Sequence, residues 1–283
     1  MSTPRVSFEF FPPKTAEAEA SLWKTVERLA PLNPEFVSVT YGADGSTRER
    51  THQVIESILT KTDMNPVPHL TCVGAPREEI DAIADEYWRM GVRQIVALRG
   101  DPEDGAEADY IPHPEGYAYA SDLVDGLLKR HPFELFVAAY PETHPQAISA
   151  DADLENLKRK VDAGSQRAIT QFFFDNELFL RFRDRVAAAH INVELIPGIL
   201  PVTNFNTLVR FAGACGASIP KSLATLFEGL DDDPTTRQLI AAHAAVSQAE
   251  NLGREGVDDF HFYTLNRADP SFAVCHALGV RGK

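Results

Sequence analysis

The sequence predicts an α/β fold in which eight parallel strands close into a (β/α)8 barrel, and three observations carry that expectation. Eight short, almost continuously apolar runs rich in β-branched and aromatic residues have the pattern of strands covered on both faces. Stretches with helical spacing of apolar residues separate them, so each connection reads as a right-handed crossover. The length of 283 residues suits one such barrel, which takes about 250. An open doubly wound sheet shares the same alternation and stands as the architectural rival.

The first four runs begin at Val6 (VSFEFF), Phe36 (FVSVTYG), Val67 (VPHLTC) and Gln94 (QIVALRG). The other four begin at Glu134 (ELFVAAY), Ala168 (AITQFFF), Val193 (VELIPGIL) and Asp259 (DFHFYTL). After Cys72, Ile80, Ile83, Ala84, Tyr87 and Trp88 recur at three- and four-residue intervals, with Glu78, Glu79, Asp81 and Asp85 on the other face. Leu154, Leu157 and Val161 repeat that spacing, as do Leu178, Phe182 and Val186. The last crossover, Pro201 to Val257, is too long for one helix and predicts two or three. One of them starts at Asp233-Pro234, with Asp as N-cap and Pro at the first helical position. The run Asp231-Asp232-Asp233 therefore reads as a helix N-terminus favoured by the helix dipole rather than a cation site. No linker interrupts the alternation, so residues 1–283 read as one domain. The least regular loop, Asp101 to Gly116, follows the fourth strand, at the barrel end where function collects.

Composition limits the function classes. With 41 acidic and 27 basic side chains the formal charge is −14, which argues against broad contact with nucleic acid or anionic membrane. The even mix of apolar, charged, Gly and Pro residues excludes disorder, collagen and coiled coil. No run approaches the ~18 apolar residues of a membrane helix. The amino end reads as entering a strand directly, so no signal peptide is expected. Three distant cysteines, Cys72, Cys215 and Cys275, suit a reducing cytoplasm.

Active sites of such barrels lie at the carboxyl ends of the strands, so the polar residues closing each run are the candidates. They are Glu9, Thr40 with Tyr41, His69 with Thr71, Arg99-Gly100-Asp101, Tyr140 with Glu142 and His144, Gln171, Asn204, and Asn266 with Arg267. Glu9 lies between Phe8 and Phe10. A carboxyl placed there either forms a buried ion pair with Arg99 or Arg267, or acts as a general acid whose apolar surroundings disfavour the carboxylate.

Motifs for dinucleotide-binding Rossmann turns, P-loops, zinc proteases, redox cysteine pairs and nucleophile elbows are all missing. The nine histidines never fall at metal-ligand spacing, so no metal is expected. His69 and His144 are placed to meet a ligand, whereas His190, His243 and His276 read as helix-surface or core residues. Asp153, Asn156 and Lys160 fall at i, i+3 and i+7 with Arg159 adjacent. That stripe is either a solvated helix face or a contact for phosphate and ribose in an otherwise strongly negative protein.

Longer blocks carry a resemblance. They are SFEFFPPKT at Ser7–Thr15, FVSVTYGA at Phe36–Ala43, PHLTC at Pro68–Cys72, ALRGD at Ala97–Asp101 and YASDL at Tyr119–Leu123. VAAYPETHP at Val137–Pro145, NLKRKVDAG at Asn156–Gly164, ITQFFFD at Ile169–Asp175, IPGILPVTNF at Ile196–Phe205 and DFHFYTLNRA at Asp259–Ala268 follow in order. Together they resemble methylenetetrahydrofolate reductase, in its bacterial single-domain form without the carboxyl-terminal regulatory domain of eukaryotic members.

The resemblance implies an FAD-binding (β/α)8 barrel in which NADH or NADPH reduces the flavin. The flavin then reduces 5,10-methylenetetrahydrofolate to 5-methyltetrahydrofolate, supplying methyl groups for methionine synthesis. It also implies a homo-oligomer without nucleic-acid or membrane partners. Glu9 matches the family's general acid, acting at the folate N10, and Asp101 a carboxylate on the flavin N1 side. For FAD the matching positions are Tyr41, His69, Arg99, Gly100, Asp101, Ala120, Tyr140, His144, Ala147, Asp153, Asn156, Arg159 and Lys160, and Thr40 matches a nicotinamide contact. Gln171 matches a residue touching folate and nicotinamide, and Arg267 a contact to the folate's glutamate tail. Phe211 matches a stacking aromatic, although its place in a helix equally suits a core residue. Thr207 departs from the family, standing where a folate-contacting glutamine is expected. Two other functions share the barrel: a lyase or metal-free hydrolase with Glu9 and Asp101 as its acid/base pair, and a flavin- or folate-binding protein without turnover.

Overall fold

A computed structural model of the chain describes residues 3–41, 48–102, 108–202 and 204–282. Part of the Asp101–Gly116 loop, Gly42 and Ala43 of the second block and Thr203 lie outside the described residues. Nine strands are seen: β1 (Arg5–Phe10), β2 (Val37–Val39), β3 (Pro66–Thr71), β4 (Gln94–Leu98), β5 (Glu134–Ala139), β6 (Arg167–Thr170), β7 (Glu194–Ile196), β8 (Gly198–Ile199) and β9 (Asp259–Tyr263). They form one parallel sheet in the order β7-β6-β5-β4-β3-β2-β1-β9-β8. Its two edges, β7 and β8, are halves of one run separated by Pro197 alone, so the sheet closes on itself. Closure decides for the barrel and against the open doubly wound sheet.

Eight runs become nine strands because Pro197 has no N–H to offer the ladder. Its carbonyl instead accepts from His261 N (3.0 Å), and Gly198 N turns to Thr170 Oγ1 (3.0 Å). Gly198 is required by close approach, since a Cβ there would lie 2.3 Å from the Thr170 carbonyl oxygen.

The helices are α1 (Ala16–Leu29), α2 (Arg48–Lys61), α3 (Arg77–Met90), α4 (Ala120–Arg130), α5 (Ala150–Asp162), α6 (Asn176–Ala188), α7 (Phe205–Cys215), α8 (Lys221–Phe227), α9 (Pro234–Arg254) and α10 (Ala268–Ala277). Three of them, α7 to α9, fill the last crossover. Asp233 caps α9 by accepting from Thr236 N at 3.0 Å, with Pro234 opening the helix. On α6 the buried stripe is Phe179, Phe182 and Val186, with Leu178 only half-buried beside it. Among the described residues, no helix is long and apolar enough to cross a membrane.

Strand alternation sorts side chains onto two faces. Phe8, Phe10, Val37, Ile95, Val137, Phe260 and Phe262 point outward and pack against helix residues such as Leu22, Ile55, Ile80 and Leu123. The opposite parity fills the barrel with Phe36, Val67, Val96, Phe136, Ile169 and Ile196. Below this apolar layer, the first residues of the strands form an ion cluster. Arg167 reaches Glu35 (2.8 Å), Glu194 (2.9 Å), Asp259 (3.0 Å) and Glu134 (3.7 Å). Arg5 joins it through Asp259 (3.3 Å), Glu35 (3.7 Å) and Glu194. Above the layer, at the carboxyl ends, stand Glu9, His69 and Tyr263, with Gln171 just past β6. The barrel is thus closed below by charge, plugged by hydrocarbon and open above to chemistry.

Candidate active site

Glu9 is the penultimate residue of β1 and only 7% exposed. Arg99, one of the two arginines foreseen as its partner, pairs with Asp101 instead. Among the described residues, the ion-pairing neighbours of Glu9 are two imidazoles, His69 Nε2 on β3 at 3.5 Å and His261 Nε2 on β9 at 3.9 Å. Burial holds His69 neutral, lowering its pKa against the opposing pull of Glu9. Tyr263 completes the ring. Burial, followed by the Glu9 charge, raises its pKa well above the ordinary tyrosine value, and its hydroxyl donates to the Thr170 carbonyl at 2.8 Å. Imidazoles and a phenol, rather than guanidinium groups, thus surround this carboxyl.

Arg99, just past β4, lies 3.7 Å from Asp101 and over the Tyr110 ring at 4.6 Å. Asp101 is the exposed partner, with 59% of its side chain in contact with solvent. Gly100 between them has φ +85°, and a Cβ there would strike Val73 and Thr71 at 2.5 and 2.9 Å. Glycine is therefore what lets this turn lie flat on the end of β3.

A second group involves α5 and the segment before it. Tyr140 and His144 meet edge to face at 4.5 Å, and His144 N donates to Asp153 Oδ2 at 2.9 Å. Burial raises the Tyr140 hydroxyl pKa, helped by the nearby Asp101 charge, and burial lowers that of His144. Ala147 N closes the turn on the His144 carbonyl at 2.8 Å. Lys160 reaches inward to the Ala138 carbonyl (2.5 Å), and burial brings its pKa down to about 8 against the pull of Asp153. Asn156 and Arg159 are exposed and bonded to each other at 2.5 Å. Of the two readings of this stripe, the solvated face describes Asn156 and Arg159, while Asp153 and Lys160 turn into the structure. Ala120 opens α4.

The remaining candidates line the mouth. Thr40 lies just past β2, where its carbonyl accepts from Thr51 Oγ1 at 2.9 Å. The Gln171 amide oxygen accepts from Phe172 N at 3.0 Å. Phe211 is not a core residue: it is 45% exposed and stacks on Phe172 at 5.4 Å, while Leu208 and Ala212 form the buried face of α7. Thr207 stands exposed one turn earlier, its N–H held by the Asn204 cap at 2.9 Å. Arg267 precedes α10, on a turn tied to β1 by Asn266, whose side chain bonds both Phe11 N and Phe11 O at 2.9 Å.

Two observations test whether these residues suit a large polar cofactor. Among the described residues, the Tyr41 hydroxyl and His69 Nε2, both at positions the resemblance assigns to FAD, are buried without a hydrogen-bond partner. Such groups are costly, about 1–3 kcal/mol each, unless a ligand meets them. Lys160 adds a desolvated cation near Tyr140 and His144, suited to an anionic centre such as pyrophosphate. The residues present fit the group.

The family model described as methylenetetrahydrofolate reductase matches residues 2–279. The chain belongs to the methylenetetrahydrofolate reductase family. It is accordingly an enzyme, an oxidoreductase. The 5,10-methylenetetrahydrofolate reductase of Escherichia coli K12 is 56% identical over 276 residues, covering 98% of this chain and 91% of that protein. That of Pectobacterium carotovorum is 54% identical over 277 residues, with 98% and 90% covered. Methylenetetrahydrofolate reductase (NADH) 1 of Arabidopsis thaliana is 34% identical over 97% of this chain but only 48% of its own length. Among solved structures, a Clostridium thermocellum protein that binds two copies of 5-methyl-5,6,7,8-tetrahydrofolic acid shares the fold. Its TM-score is 0.63 at 16% identity, with 98% of this chain and 94% of that one covered.

Sequence reasoning missed His261, which approaches the Glu9 carboxyl at 3.9 Å, against 3.5 Å for His69. It is fully buried at mid-strand, and the search for polar residues at strand ends passed over it. The usable signal was the period-two polar series Arg5-Ser7-Glu9 facing Asp259-His261-Tyr263 in parallel register.

Proposed function

We propose that the chain reduces 5,10-methylenetetrahydrofolate to 5-methyltetrahydrofolate, with NADH or NADPH as electron donor and one FAD serving both substrates in turn. The observation that carries this reading is Glu9: a carboxyl buried at the barrel mouth, faced by imidazoles, in a member of this family. Tyr41, His69, Arg99, Gly100, Tyr140, His144 and Lys160 would hold the FAD. When bound, it supplies the hydride acceptor for the nicotinamide and the hydride donor for the folate. Glu9 gives its proton to N10 of the folate, which opens the five-membered ring and leaves the methylene carbon an electrophilic iminium. Gln171 and Phe211 flank the pterin and Arg267 its glutamate tail, while Thr207 leaves one folate contact shorter than in relatives that carry glutamine. Incubating the purified protein with methylenetetrahydrofolate and NADH should yield 5-methyltetrahydrofolate on chromatography, and no product would overturn the reading. The same reading makes the enzyme cytoplasmic and homo-oligomeric, with a methyl donor for methionine synthesis as its product.

Two expectations follow from charge. Asp101 brings a negative charge to the rim beside Arg99 and opposes added negative charge on a reduced cofactor while favouring the cationic folate intermediate. Asp101→Asn should therefore raise the flavin midpoint potential, measured by dye equilibration, and slow the folate step more than the NADH step. Lys160 is cationic below about pH 8 and neutral above it. Its attraction for a pyrophosphate is present below that pH and lost as pH rises through it. Flavin retention on a desalting column should weaken above pH 8, and in Lys160→Met it should be about tenfold weaker at pH 7 and lose that pH dependence.

A further inference from the structure

The turn between β9 and α10 is clamped onto the end of β1. Thr264 is buried, and its hydroxyl donates to the Glu9 carbonyl at 2.6 Å while accepting from Asn266 N at 3.1 Å. The Asn266 side-chain oxygen accepts from Phe11 N and its amide nitrogen donates to Phe11 O, both at 2.9 Å. One backbone donor and one backbone acceptor therefore fix which way the amide faces. The Asn266 carbonyl in turn faces the α1 hydroxyls of Thr25 (2.8 Å) and Ser21 (3.4 Å).

Arg267 N closes the turn on the Thr264 carbonyl at 2.9 Å, with Leu265 at φ +50° and Asn266 at φ +53°. Two positive values in succession make a type I′ turn, which favours glycine, asparagine or aspartate. Asn266 suits that geometry, whereas Leu265, an exposed leucine, does not. The strain at Leu265 persists because the bonds on either side of it over-determine the turn. Arg267, the next residue, is thereby held at a fixed place relative to Glu9, which lies two residues before Phe11 on β1.

We propose that Asn266 is a positioning residue that sets the span between Glu9 and Arg267, and through it where the folate N10 lies against the acid. The inference rests on the reading of Glu9 as proton donor to N10 and of Arg267 as the contact to the glutamate tail. In the folate, N10 and the glutamate are joined to opposite ends of one rigid benzoyl ring. Anchoring the tail therefore dictates where N10 sits along the barrel mouth. Binding energy at the tail becomes orientation at the reacting atom, as remote contacts provide in enzymes generally. The amide of Asn266 is committed to the Phe11 backbone, so its effect reaches the substrate through Glu9 and Arg267.

Stopped-flow oxidation of the reduced, flavin-loaded protein tests this with two substrates, methylenetetrahydrofolate and the methylenetetrahydropteroate that lacks the glutamate. At subsaturating concentration the native protein should reoxidise about tenfold more slowly with the truncated substrate. Asn266→Gly keeps the positive φ but drops the clamp. It should be reduced by NADH at the native rate, lose about tenfold with the full folate, and lose little more with the truncated one. Asn266→Asp keeps the acceptor for Phe11 N but turns an oxygen toward Phe11 O, and it should show the same selective loss even if Asn266→Gly does not fold. Equal losses on both substrates, or a parallel loss in the NADH step, would mean that Asn266 only holds the barrel seam, and would overturn the proposal. So would unchanged oxidation by the full folate. A native protein indifferent to the missing glutamate would instead remove the role of Arg267, and one not reoxidised at all would remove the reading of the reaction.

Discussion

Glu9→Gln is expected to be reduced by NADH at close to the native rate and to lose folate reduction by about a thousandfold. The amide matches the carboxyl in size and still sits between His69 and His261, so the site keeps its shape. What it lacks is a transferable proton, and only the folate step needs one. Stopped-flow absorbance separates the two steps in one preparation. Equal loss in both would mean that Glu9 shapes the cofactor site rather than donating to the substrate. Unimpaired folate turnover would take it out of the chemistry altogether.

The second large effect lies at the opposite end of the barrel. Arg167→Met should cost about 3–5 kcal/mol of unfolding free energy, read from urea denaturation at pH 8, because it takes the buried cation from Glu134 and leaves Asp259, Glu35 and Glu194 with Arg5 alone. Asp259 is the most exposed to this loss in energetic terms. Burial raises its pKa to about 6, with Arg5 and Arg167 pulling the other way. A carboxyl with a raised folded pKa contributes most below its unfolded value of about 4, and that contribution fades as pH rises through about 6. Removing Arg167 takes away an opposing cation, so the penalty should be smaller at pH 5 than at pH 8. A penalty below 1 kcal/mol, or one that grows on acidification, would contradict this picture of the cluster. The site above should be little changed in folded Arg167→Met, since the apolar layer from Phe36 to Ile196 separates the two ends.

The barrel was legible because parallel strands buried on both faces leave long apolar words in the sequence, and amphipathic helices leave a different period. Asp233-Pro234 marked its helix start through local capping chemistry, which needs no tertiary partner. The break at Pro197 was present in the sequence too, but its meaning depends on β9 supplying a donor to the proline carbonyl, which is a long-range fact. Glu9 stood out because a carboxyl between two phenylalanines has few explanations. Its partners did not, because register decides them: Ser7 faces His261 and Glu9 faces Tyr263 only after the first and last strands pair. The α5 stripe shows the same limit. Spacing grouped Asp153, Asn156 and Lys160, yet the structure divides them between solvent and interior.

One measurement bears most directly on the whole account. The purified protein, kept anaerobic, should be yellow, bleach when NADH is added, and recover its colour on addition of methylenetetrahydrofolate with 5-methyltetrahydrofolate formed in equal amount. A protein that bleaches and stays bleached after the folate is added would contradict it.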